Sequence, residues 1–241
     1  MLLEAIVERG APIMANRVRA LISKIFNWGL QHEIVESNPV FGVARPTREQ
    51  SRERVLTKDE IRRFWLACDA QSPRVAAWCR LRLPTAQRGG ELLNMRWRDI
   101  EDEWWTTPGE FVKNRRTNRV YLNELSRSIL AGLPRQESES VFPESLMGDY
   151  KHVGRRLAKE SRAAIHDFRG HDLRRTAASH MTSAGVPRLV VSRILNHSDE
   201  GDITGVYDRY GYDREKKKAL DLWIRRLKAI LANADPTSQR N

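Results

Sequence analysis

The chain has 241 residues, 40% of them hydrophobic, enough for one large domain or one domain with part of another. With 42 Lys and Arg against 31 Asp and Glu it carries +11 at pH 7, an excess that points to a polyanion, most simply nucleic acid. Its two cysteines show no CxxC spacing, which argues against a disulfide scaffold and a metal site. No apolar run approaches membrane-spanning length, and the N-terminus lacks a signal-peptide core, so a cytoplasmic chain without membrane partners is expected.

Residues 12–30 read as a helix. Pro12 suits its first turn, and Met14, Val18, Leu21, Ile22 and Ile25 recur on one face. Asn38-Pro39 closes the segment, which looks like part of a helical module over residues 1–44. From Arg45 to Arg54 the chain reads RPTREQSRER, without an apolar residue, as a linker would. A second domain is expected over residues 55–232. Thr57 with Glu60 forms a capping-box pattern, and Ile61, Phe64, Trp65 and Cys68 continue it as a helical stripe. Further helices are expected from Pro73 to Leu83 and from Glu91 to Trp97.

The pattern then changes. Trp104–Thr107 and Arg119–Leu122 are β-rich and flank a turn rich in Lys and Arg, so a small antiparallel sheet beside helices is expected. Helices are expected at about 124–131 and 147–161. Last comes a helix from about Arg214 to Leu231, with Leu220, Trp223, Leu227 and Ile230 on one face. Such a stripe suits packing on its own domain. The tail, 233–241, reads as disordered. The fold class is therefore mainly α with a small antiparallel sheet, α+β.

Seven positions could carry chemistry, with Glu91 in support. Arg88, in LPTAQRGGELLNMRW, precedes a helix start, with Glu91 placed to orient it. Lys113 sits in the basic hairpin. His171 and Arg174 lie three apart at a helix start, where a phosphate is favoured. His197 ends the apolar run LVVSRILNH, and Tyr207 and Tyr210 follow in VYDRY. Arginine binds phosphate oxygens in a fork, histidine exchanges protons near neutral pH, and tyrosine can act as a covalent nucleophile. Singly, each has an ordinary structural reading.

Their ordered combination is specific. AQRGGELLNMRW, FVKNRRTNRVYL, FRGHDLRRTAASHM, ILNHSD and TGVYDRY together resemble the tyrosine recombinase (phage integrase) family over roughly 55–225, with a weaker match at 12–46 to the end of that family's core-binding domain. The resemblance implies that Arg88 and Arg174 clamp a scissile phosphate and that Lys113 protonates the leaving 5′-oxygen. It implies that His171 is the acid/base partner, that His197 donates a hydrogen bond, that Tyr207 is the nucleophile and that Glu91 supports the site. Arg115, Arg116, Arg119 and Arg175 are expected to contact DNA. The implied activity is cleavage and rejoining of double-stranded DNA through a 3′-phosphotyrosine, with no cofactor or metal, by a chain that forms a tetramer on DNA and is a monomer free of it. The resemblance also implies a second reading of the last helix's stripe, docking onto a neighbouring protomer. Topoisomerase-like relaxation and DNA binding without recombination are the rival readings.

Three departures stand out. Tyr207 follows His197 by ten residues, one more than in many members, which leaves Tyr210 as an alternative nucleophile. Asn196 stands where glycine is usual, a substitution that asparagine's tolerance of positive φ accommodates. The N-terminal part is short, so an arm-binding domain and a full clamp around DNA are not expected of this chain.

Overall fold

The computed structural model describes residues 2–50, 52–112, 115–134, 138–142, 165–197 and 210–232. The chain divides into two compact units, Met1–Glu53 and Arg54–Asn241. In the first, helix α1 (Leu2–Glu8) and helix α2 (Pro12–Gln31) pack as a hairpin. Gly10, at φ +77°, makes the reversal, and Pro12 opens α2 as its sequence suggests. Asn16 is buried because its amide grips the later chain: Nδ2 donates to the Thr47 carbonyl at 2.8 Å, and Oδ1 accepts from the Thr47 N–H at 3.2 Å. The expected apolar stripe is present but largely uncovered, with Met14, Leu21 and Ile25 more than half exposed. Two helices cannot bury both sides of a face this broad.

The second unit opens with helix α3 (Lys58–Ala67). Its capping box forms as read: the Glu60 N–H donates to Thr57 Oγ1, and the Thr57 N–H donates to the Glu60 carboxylate at 2.9 Å. Helix α4 (Pro73–Thr85) follows, starting at Pro73 as expected. Helix α5 spans Gly89–Leu93 rather than Glu91–Trp97. Its early end has a cause: the backbone at Met95–Trp97 pairs with residues 139–141, Val141 N–H donating to Met95 O and Trp97 N–H to Glu139 O. Chain committed to that pairing cannot continue a helix.

Strands β1 (Ile100–Glu101), β2 (Trp104–Thr107) and β3 (Asn118–Tyr121) form an antiparallel sheet in that order, with Trp104 opposite Tyr121 and Thr107 opposite Asn118. Helix α6 spans Glu124–Ala131, with Asn123 as its cap. Then come α7 (Gly170–Ser183), α8 (Arg188–Ile194) and α9 (Asp213–Ala232). The expected helix at 147–161 and the tail lie outside the described residues.

The core is continuous through this unit, and Trp78, Trp105 and Trp223 are its largest fully buried side chains. Leu220, Trp223, Leu227 and Ile230 are all buried, because α9 packs on α3, α4, α7, α8 and β3 of its own unit. Trp223 also donates its indole N–H to the Leu83 carbonyl at 2.8 Å, which fixes α9 on α4. Of the two readings of that stripe, packing on its own domain is the one observed.

Candidate active site

The site is assembled where helix ends meet. Helix α4 stops at Ala86, whose φ of +56° turns the chain sharply so that Arg88 caps the next helix, α5. Arg88 Nη1 donates to Glu91 Oε1 at 2.6 Å. Glu91 is 5% exposed, so a buried carboxylate holds a half-buried guanidinium in one orientation.

Arg174 lies one turn into α7 and is 3% exposed. It donates Nη1 to the Ala86 carbonyl at 2.9 Å and Nη2 to the Leu195 carbonyl. Those carbonyls end α4 and α8, where helix dipoles favour a cation. Its Nε has no hydrogen-bond partner among the described residues. Burial first, then the facing charge of Arg88, lowers the Arg174 pKa, while Glu91 opposes the shift. This buried cation therefore has a donor to spare and, among the described residues, one carboxylate that offsets it, which suits an incoming anion.

His171 stands one turn earlier on α7, beside Gly170. The residue is exposed, yet partial desolvation of its ring, followed by the charges of Arg175, Arg174, Arg88 and Arg82, pushes it down to about 4. It is neutral at pH 7, able to take a proton once an anion offsets those charges. Asp172, fully buried, organises the helix start: Oδ2 accepts the Arg169 N–H at 2.8 Å, and Oδ1 accepts from Arg175 Nη1 at 2.9 Å. Arg175, expected on DNA, thus has one of its five donors engaged within the chain.

His197 follows α8 through a Schellman motif. Asn196 N–H donates to Arg193 O, and His197 N–H donates to Ser192 O, with Asn196 at φ +45°. Asparagine does take the glycine-like conformation. Gln87 ties this end to the rest: its Nε2 donates to Ile194 O at 2.9 Å, and its Oε1 accepts from Asn118 on β3.

Arg119 packs over the Trp104 ring and ion-pairs with Asp213, the first residue of α9. Lys216 donates to the Arg119 carbonyl at 3.2 Å. The hairpin strand and the helix after VYDRY are thereby joined. Arg115 and Arg116 are exposed. Lys113 and Tyr207 lie outside the described residues. Tyr210 is described: its hydroxyl donates to Glu215 Oε1 at 3.3 Å, and the charge of Glu215 raises its pKa.

The described residues thus bring together Arg88, Glu91, His171 and Arg174, drawn from α5 and α7, through Ala86 and Leu195. Arg82 and Gln87 belong to this neighbourhood too, although local motif reading did not single them out. Their partners are remote in sequence: Gln87 reaches Ile194, and Arg82 lies against Gly170. Only the two glycines, Gly89 and Gly170, hinted at a close approach.

Comparison with known proteins bears on the family and the fold. Residues 54–212 match the model of the phage integrase family. The chain is 32% identical over 184 residues to the shufflon-specific DNA recombinase of Escherichia coli, covering 73% of this chain and 46% of that protein. It is 28% identical over 240 residues to the prophage integrase IntZ of Escherichia coli (strain K12), covering 95% and 59% respectively. The chain thus spans about half the length of these curated relatives. Among solved structures, its fold is similar to a lambda integrase tetramer bound to a Holliday junction, with TM-score 0.66 and 20% identity over 83% of this chain and 63% of that one. It is also similar to the integrase from mycobacterium phage Brujita, with TM-score 0.58 and 18% identity over 91% and 77%. Both likenesses concern the fold. With a family match over 54–212 and the motif residues drawn together as described, the chain belongs to the phage integrase family.

Proposed function

We propose that this chain is a site-specific DNA recombinase that cleaves and rejoins strands through a 3′-phosphotyrosine on Tyr207. The observation that carries the reading is Arg174: a buried guanidinium with an unpartnered donor, facing Arg88 and offset by one carboxylate. Such a cluster favours an anion whose charge grows during reaction. In the pentacoordinate transition state the phosphodiester gains a second negative charge, and Arg88, Arg174 and His171 are grouped to stabilise it.

In this reading the Tyr207 oxygen attacks phosphorus as the bond to the 5′-oxygen breaks. The phenol proton passes to His171, and Lys113 protonates the departing oxygen. The products are a 3′-phosphotyrosine and a 5′-hydroxyl. Because the new ester conserves the bond energy, reversal with another 5′-hydroxyl rejoins the strand without a nucleotide. His197 donates to a phosphate oxygen. Arg115, Arg116 and Arg175 contact the backbone of duplex DNA, whereas Arg119 acts mainly within the chain. Tetramer assembly on DNA follows the lambda integrase example, and the buried stripe of α9 is not the surface that mediates it.

Incubation with a nicked suicide duplex carrying the attachment core, drawn from DNA flanking the gene, tests the reading. A denaturant-stable adduct is expected with the native chain and with Tyr210→Phe, and none with Tyr207→Phe. An adduct that survives Tyr207→Phe but not Tyr210→Phe moves the nucleophile to Tyr210. Absence of any adduct, with duplex binding intact, overturns the strand-transfer reading.

A further inference from the structure

Arg82 lies on α4, outside every motif that marks the site. Its guanidinium stacks over the indole of Trp78, 5.0 Å from the ring centroid. Trp78 is fully buried and donates its indole N–H to the Gly89 carbonyl at 2.9 Å, so it holds the first residue of α5. On the other side, the guanidinium lies against Gly170, the first residue of α7. A Cβ at Gly170 would sit 2.6 Å from Arg82 Nη1 and 2.8 Å from Cζ. A Cβ at Gly89 would sit 2.9 Å from Trp78 Cζ2 and 3.2 Å from Arg82 Cζ.

Neither glycine has positive φ, so backbone conformation does not call for glycine at either place. Space for the Trp78–Arg82 pair does. The two glycines adjoin Arg88 on one helix and His171 on the other. A flat cation stacked on a fixed indole is a stiff spacer, since it presents a plane rather than a mobile chain end.

We propose that Arg82 is a positioning residue of the phosphate cluster, its guanidinium seated between Trp78, Gly89 and Gly170 so that the helix start bearing Arg88 and Glu91 keeps register with the one bearing His171 and Arg174. The proposal rests on the strand-transfer reading for its catalytic consequence, but the geometry stands apart from it. Arg82 acts in two ways. Its plane sets spacing, and its charge adds to those of Arg88, Arg174 and Arg175 around His171, against the carboxylates of Glu91 and Asp172.

Three variants separate these effects. Arg82→Lys keeps the charge and loses the plane, Arg82→Gln loses the charge, and Gly170→Ala pushes the guanidinium aside by filling its seat. The side-chain end can move away, so Gly170→Ala is expected to fold. Adduct formation on the suicide duplex should slow about ten- to a hundredfold in all three, the scale of a misplacement near 1 Å. Duplex affinity should change less than threefold.

The His171 titration midpoint, read by NMR on the free chain, should rise in Arg82→Gln and stay low in Arg82→Lys, a distinction that loss of stability would not make. Arg82→Gln combined with Gly170→Ala should be no slower than the slower single variant, because both act through one guanidinium. Adduct rates within twofold of native in all three variants overturn the proposal, as do losses that merely track melting temperature with His171 unmoved. If the native chain forms no adduct, the strand-transfer reading fails and the NMR arm alone decides. An unchanged midpoint in both Arg82→Gln and Gly170→Ala then sinks the proposal, and a midpoint that moves when Gly170→Ala displaces the guanidinium upholds the seat.

Discussion

His171 shows how one residue's surroundings turn a generic side chain into a conditional one. Desolvation and four arginine charges hold it neutral down to about 4 in the free chain. An anion seated among those arginines cancels their effect, so its binding should draw a proton onto the imidazole. Sulfate is a suitable probe because it stays dianionic from pH 4 to 8. Its affinity by calorimetry should rise as pH falls from 8 toward 5, by no more than about tenfold per pH unit for one proton. His171→Gln should flatten that slope, and an equal slope in the variant would exclude His171 as the linked group. The same shift acts on stability. An unfolded chain protonates its histidine near the ordinary value, above the folded midpoint, so acidification through that window favours unfolding. Arg88, Glu91, His171 and Arg174 were legible from their motifs, because each pair sits three apart on one helix. Arg82 was not, since what gives it meaning is Gly170, 88 positions away.

Elements in this chain are delimited largely by local chemistry. Pro73 opens α4 and Thr57 with Glu60 caps α3, both visible beforehand, and Asn123 caps α6 by the same local chemistry. The end of α8 is more consequential, because Arg174 and Gln87 both hold its last carbonyls and His197 follows directly. Asn196 carries the positive φ that shapes this exit. Asn196→Gly should change stability by less than about 0.5 kcal/mol, since glycine is the commonest residue there. Asn196→Val should cost about 1–2 kcal/mol in denaturant unfolding, because a β-branched residue resists this conformation. It should also slow adduct formation by moving His197. If valine proves as stable as glycine, the Schellman geometry is not what holds this end. Helix α5 was misplaced by two residues at its start and four at its end. Its end is set by pairing with residues 139–141, a long-range contact that leaves no trace in periodicity.

Charge is distributed unevenly over the whole molecule. Met1–Glu53 holds seven Lys and Arg against six Asp and Glu, so ten of the eleven net positive charges belong to Arg54–Asn241. Electrostatic affinity for duplex DNA should therefore reside mainly in the second unit. The core cluster runs from Leu56 onward, so this unit also carries its own hydrophobic interior. A fragment beginning at Arg54 should unfold cooperatively and keep most of the salt dependence of non-specific duplex binding. The slope of log affinity against log salt should differ from that of the intact chain by no more than about one. A fragment whose slope collapses would place the phosphate contacts in the first unit instead.

What the sequence determined by itself was the chemistry and its local setting: a basic chain, capped helices, and motif residues at helical spacing. These follow from rules that act over a few residues, namely periodicity, capping and side-chain type. The tertiary structure decided three things. It buried the α9 stripe within its own unit, it engaged Arg119 with Asp213, and it brought Arg82 between Gly89 and Gly170. Each depends on residues tens of positions apart meeting at fixed distance. Such meetings follow from how the whole core closes, which no local pattern encodes.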